Sequence, residues 1–199
     1  MAQGITTVDQ LRNLGEENDL MLSPDLDDQK LSLQVSIPTT LSAGEFNMGG
    51  GNVIDDEAGH KIRARHARLY ADLIVLDPVM TEGTPDWLWL STGVKALDHC
   101  IERLYTTGNQ PAVDAPVLAA AEIIFTNLPK SRQSNNDPEA RLQCLVAAWM
   151  SMMGAPNFAT GLSHAIGHIL GVKYSVGHGY TSCVTQPYVM EFNLSLIHI

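Results

Sequence analysis

From Thr84 onward the chain is a run of helix-period segments separated by proline and glycine, and this half limits the available folds most. Leu90, Val94, Leu97, Ile101 and Leu104 recur at alternating four- and three-residue intervals. That spacing lines one side of a helix. Thr84 reads as its N-cap and Pro85 as its first residue. A second helix is expected from a cap at Asp114 to Asn127. Asp137-Pro138 opens a third, through Met153, which Gly154 and Pro156 break. A fourth covers GLSHAIGHIL, with Gly171 placed to stop it. A fifth begins near His178 and runs into YVMEFN.

The first half reads differently. Thr7 to Gln10 form a capping-box pattern for a short helix that Gly15 ends. Residues 16–30 are acidic and turn-rich, a loop. Strands are expected at LSLQVSIP (31–38), KIRARH (61–66) and ADLIVLDP (71–78). Three strands and one short helix cannot cover both faces of a sheet. The fold class is therefore an α+β fragment: part of an α/β layer over 1–83, then a mostly helical domain over 84–193.

A net charge of −10 over 199 residues argues against a nucleic-acid partner, which needs a clustered basic surface. The one basic concentration, Lys61 to Arg68, alternates like the outer face of a strand. Cys100, Cys144 and Cys183 are odd in number and far apart, so buried free thiols in a reducing, cytoplasmic setting are expected. The polar, acidic start is no signal peptide. No apolar run approaches the ~18 residues of a membrane span.

Three of the seven histidines, His164, His168 and His178, fall within residues 161–178. On a helix, His164 and His168 share a face. Gly177 and Gly179 flank His178 and allow close backbone approach. A fourth, His99, follows Lys95 by one turn. Such a set either converges on a borderline metal ion or consists of core and surface histidines. Spacing does not decide between them. It does exclude a zinc metalloprotease, because HAIGH lacks the glutamate that follows the first ligand.

Longer stretches carry more. GLSHAIGHILGVKYSVGHG resembles the metal-site segment of the iron-containing alcohol dehydrogenase family, and STGVKALDHCIERLY resembles its earlier ligand helix. VSIPTTLSAGEF resembles the segment that meets the nicotinamide cofactor, and the likeness is nearest to the maleylacetate reductase-like branch. The resemblance implies a nucleotide-binding α/β domain, a helical domain, and a cleft between them where hydride passes between NAD or NADP and an alcohol, aldehyde or maleylacetate-like substrate. It implies His99, His164 and His178 as ligands of a divalent ion, Fe2+ or Zn2+, and His168 as a proton relay. Thr39, Thr40 and Lys61 match cofactor contacts. A homodimer is among the assemblies it allows.

Two departures follow. The family's aspartate ligand, four residues before the first histidine, is here Lys95. An ammonium cannot ligate, and it repels an ion at ~5–6 Å by several kcal/mol at intermediate dielectric. The maleylacetate reductase-like branch also lacks this aspartate and is metal-independent, so Lys95 is expected to hold a substrate carboxylate or polarise an oxygen. The family's GGGS pyrophosphate loop is not found, and Gly49-Gly50-Gly51 reads as a plain turn. The last six residues, LSLIHI, match a translated sequencing adaptor, so 194–199 is expected to be a non-native tail. The chain is thus expected to be cut at both ends. A non-catalytic fragment and a metal-dependent hydrolase remain as alternatives.

Overall fold

A computed structural model describes residues 20–21, 33–47, 51–55, 60–65, 70–105, 110–132, 135, 137–154, 161–174 and 176–196. At 20–21, 51–55, 60–65, 172, 178 and 196 it describes the backbone alone. The chain divides into two units, one of residues 1–36 and 44–74, the other of 37–43 and 75–199.

The first unit holds the strands. β1 (Leu20–Met21), β4 (His60–Arg65) and β3 (Gly51–Asp55) form a sheet in that order. β1 pairs parallel with β4, Leu20 opposite Ala64, and β3 pairs antiparallel, Val53 opposite Ile62. β2 (Val35–Ser36) and β5 (Leu73–Ile74) form a separate parallel pair, Val35 opposite Leu73. The loop expected over 16–30 thus contains β1, and Gly51 opens a strand. The expected strands at 31–38 and 71–78 shrink to two paired residues each. Pairing depends on a partner as well as on local pattern. The short helix near Thr7 lies outside the described residues.

Among the described residues the second unit holds five α-helices: α1 (Asp86–Leu104), α2 (Pro111–Asn127), α3 (Pro138–Ser151), α4 (Leu162–Tyr174) and α5 (His178–Leu196). α1 packs against α2, α3 and α5; α2 also packs on α3, and α4 on α5. Asp137 caps α3 as expected, its side chain accepting from the Ala140 amide. α2 starts earlier than expected, at Pro111, leaving Asp114 in its first turn. Gly171 does not stop α4, which continues to Tyr174; glycine permits a left-handed stop without imposing one. Gly154, at φ 72°, does adopt that conformation after α3.

Trp89 is fully buried. Its Nε1 donates to Ser131 Oγ at 2.8 Å, and the Arg141 guanidinium lies 4.7 Å above its ring. Ala96, Cys100, Val117, Ile124, Cys144 and Leu145 complete this core. The stripe expected to bury α1, Leu90 to Leu104, is only half-buried. Among the described residues no helix is long and apolar enough to cross a membrane.

Candidate functional site

Beside the apolar side of α1 that enters the Trp89 core, a second buried side is polar: Ser91, Thr92, Lys95, Asp98 and Glu102 all lie inside. Buried charges are tolerated only when paired and hydrogen-bonded, so each must find a partner from another element or from its own turn.

Lys95 Nζ donates to Asp98 Oδ2 at 3.1 Å, with side chains 2% and 0% exposed. The same oxygen accepts from Ser163 Oγ of α4 at 3.1 Å and from Ser182 Oγ of α5 at 2.6 Å. Ser163 and Thr185 hydroxyls share a further bond of 3.0 Å. One carboxylate oxygen therefore ties three helices together. Burial draws the Lys95 pKa down from its ordinary value, and the charge and hydrogen bond of Asp98 oppose this.

Glu102 reaches the start of α4. Its Oε2 accepts from the Gly161 amide at 3.0 Å and lies 2.5 Å from His164 Nδ1, and Oε1 accepts from the His164 amide at 3.2 Å. Burial works to raise the carboxyl's pKa, but the His164 ring and the two amides hold it below the usual value.

The imidazoles stand beside these groups. His99 and His164 ring centroids are 5.0 Å apart with planes at 25°, and His164 and His168 are 6.5 Å apart. His164 is buried, while His99 and His168 are half-buried. The fourth expected member, His178, is the first residue of α5, one turn before Ser182; its side chain lies outside the described residues.

The Thr39–Thr40 segment joins the same unit. Thr84 Oγ1 donates to the Thr39 carbonyl at 2.7 Å, and the Leu41 amide donates to Thr92 Oγ1 at 3.1 Å. Thr84 thus anchors this segment and makes no side-chain cap for α1, whose N-cap is Pro85. Thr39 is exposed and Thr40 half-buried. Thr92 precedes His99 by seven residues on α1, about 10 Å along the axis. Lys61 belongs to β4 in the other unit, with backbone only described.

Lys95 is enclosed, its ammonium bonded to Asp98 at 3.1 Å. Asp98 Oδ2 also lies 3.7 Å from His164 Nδ1. Gly179 admits no external group at its Cα: a Cβ there would meet the Ser91 backbone at 3.0 Å. Glu102, Ser163 and Ser182 were not singled out in the sequence. Their partners are 59 to 84 residues away, and the only local signal was acidic residues on a helix face that also carries histidine.

Asp98, Glu102 and His164 place ligand-type atoms within 4.8 Å of one another. Two imidazoles on one ion hold their centroids roughly 5 Å apart, given ion–nitrogen bonds of ~2.1 Å, and the His99–His164 spacing is compatible with that. Of the carboxylates, Glu102 is bound to His164 and two amides and Asp98 Oδ2 accepts three hydrogen bonds, while Asp98 Oδ1 is buried without a hydrogen-bond partner among the described residues. An ammonium occupies the expected aspartate position and is bonded to Asp98, so the described donors do not reproduce the family's aspartate-plus-histidine set. Burial pushes the Cys100 thiol up to about 12 and Cys144 up to about 11, which disfavours the reactive thiolate.

The family model described as Fe-containing alcohol dehydrogenase family, C-terminal, matches residues 89–197. A dehydrogenase of Alternaria alternata, ALT3, is 39% identical over 173 residues, covering 80% of this chain and 44% of its own length. Maleylacetate reductase of Pseudomonas sp. strain P51 is 28% identical over 163 residues, covering 82% of the chain and 46% of its own length. The crystal structure of sulfoacetaldehyde reductase from Bifidobacterium kashiwanohense in complex with NAD+ superposes with a TM-score of 0.73 at 25% identity, covering 80% of this chain and 42% of that one. The chain spans less than half the length of these relatives.

Proposed function

This chain belongs to the Fe-containing alcohol dehydrogenase family, and we propose that its whole protein transfers hydride between NAD(P) and an alcohol–carbonyl pair or an enoate. The observation that carries this reading is the row His99, His164, His168, with centroid steps of 5.0 and 6.5 Å. It lies on and beside the helix that also anchors the Thr39–Thr40 segment. The nicotinamide carries the electrons, and the protein must orient it and move a proton.

In carbonyl reduction, hydride leaves the reduced nicotinamide for the carbonyl carbon and a proton reaches the oxygen. For an enoate, hydride goes to one alkene carbon and the proton to its neighbour. His164 sits deepest and delivers the proton; His168, half-buried, passes a replacement from solvent. Thr39 and Thr40 contact the cofactor, and Lys61 is a further candidate cofactor contact. His178, one turn before Ser182 on α5, is a further candidate member of the set.

No step is assigned to a divalent ion, because the Lys95 ammonium occupies the expected aspartate position and is bonded to the neighbouring carboxylate. The buried Lys95–Asp98 pair stands in its place as a fixed, nearly neutral dipole. The metal-dependent hydrolase alternative weakens for the same reason, since it needs an ion beside that ammonium. The substrate is a small alcohol, aldehyde or maleylacetate-like molecule, and the setting is cytoplasmic.

The test uses the full-length protein with NADH or NADPH and a panel of aldehydes and maleylacetate, following the cofactor's absorbance. His168→Ala is expected to lower kcat about 10²- to 10⁴-fold. Unchanged turnover in that variant would remove the relay, and an absence of any nicotinamide oxidation would remove the reading.

A further inference from the structure

The bond between Glu102 and His164 has a consequence for which nitrogen of the ring carries the proton. A neutral imidazole has one N–H and one lone pair, and the partner of one nitrogen sets the state of the other. Here Nδ1 lies 2.5 Å from Glu102 Oε2.

The carboxylate is held as an acceptor on independent grounds. It receives the backbone N–H of Gly161 and of His164 at 3.0 and 3.2 Å, at the opening of α4. Amides there point outward without intrahelical partners and favour an anion. The side chain comes from α1, 59 to 62 residues away, so a distant helix supplies the cap. Gly161 makes room for it: a Cβ there would lie 2.6 Å from Glu102 Cδ and Oε1. A group that accepts two N–H bonds as an anion takes its third as an acceptor too.

We propose that Glu102 is a positioning residue: its carboxylate, anchored on the first turn of α4, fixes His164 as the Nδ1–H tautomer and leaves the lone pair on Nε2. The lone pair then points away from the buried charges. Glu102 touches neither substrate nor cofactor; it acts through His164. For its catalytic meaning the inference rests on the hydride-transfer reading, where His164 must accept and return a proton at one defined atom.

The test is a spectrum, independent of turnover. The 199-residue chain is labelled with 15N-histidine, and the His164 signals are assigned by their loss in His164→Gln. The neutral ring is expected to show a protonated, pyrrole-type Nδ1 and a pyridine-type Nε2. In Glu102→Ala, with helix content checked by circular dichroism, the ring is expected to revert toward the Nε2–H form that free imidazole side chains favour. A predominant Nε2–H form in the unmutated chain would overturn the proposal, and so would an unchanged pattern in folded Glu102→Ala. If the alanine variant does not fold, the unmutated spectrum alone decides. An Nδ1–H ring in a protein that oxidises no nicotinamide would leave the positioning role standing and remove the function. Turnover with an Nε2–H ring would do the reverse.

Discussion

Lys95 and Asp98 illustrate what one substitution can require of its surroundings. An ammonium enclosed to 2% exposure cannot stay charged alone, and Asp98 answers it from one turn along the same helix. Lys95→Met leaves a buried carboxylate with two hydroxyl donors, and Asp98→Asn leaves a buried ammonium without its hydrogen-bonded counter-charge, with Glu102 alone opposing it. Each is expected to cost roughly 3–5 kcal/mol. The double variant is expected to recover most of that, and urea unfolding of all four proteins measures the coupling. Additive losses would mean the pair is not a unit. Glu102 gives a pH signature. Its carboxyl is held below the unfolded value of 4.5, so the folded state binds fewer protons than the unfolded one in that window. Its contribution is therefore fully present above pH 4.5 and is lost as pH falls through the folded value. Glu102→Gln is expected to flatten this part of the acid limb in a stability–pH series; parallel curves for both proteins would contradict it.

Helix packing explains both what the residue pattern revealed and what it hid. α3 was legible from Asp137 and Pro138, because cap and first turn are local chemistry. The histidines were legible for the same reason: His164 and His168 share a turn. Asp98 was not, because its direction on α1 says nothing of what α4 and α5 place opposite it. The buried polar side of α1 likewise depends on three helices meeting, which the spacing of Leu90 to Leu104 does not reveal. The strands β1 and β3 carry too few residues to show a period, and they exist by pairing with β4. Gly179 belongs to this scale. The first turn of α5 approaches α1 so closely that a Cβ would meet Ser91 carbonyl carbon and oxygen at 3.0 Å. These are backbone atoms that cannot rotate aside. Gly179→Ala is expected to destabilise the protein by about 1–3 kcal/mol and to loosen the Ser182–Asp98 contact three residues on. Thermal unfolding measures the first effect, and unchanged stability would show that α5 can shift without loss.

Burial is unevenly distributed over the whole molecule. Every fully buried apolar side chain among the described residues, from Leu41 and Ala43 to Val189, belongs to the helical unit. The described side chains of the strand unit are exposed or half-buried, with Leu33 at 74%, Val35 at 47% and Leu73 at 52% exposure. Protection against amide exchange follows the free energy of the opening that exposes each hydrogen bond. Around β2 and β5 that opening breaks few bonds, such as those from the Asp72 and Leu73 amides to the Gln34 carbonyl, and it exposes little new apolar surface. In α1 it must separate the Lys95–Asp98–Ser163–Ser182 network and the Trp89 core together. Native-state hydrogen exchange is therefore expected to give α1 and α3 amides protection close to the global unfolding free energy. The amides at Asp72 and Leu73 should exchange through local opening, insensitive to low urea. Protection of β5 equal to that of α1 would mean that the two units unfold as one, and the helical unit would then not be the independent carrier of the site.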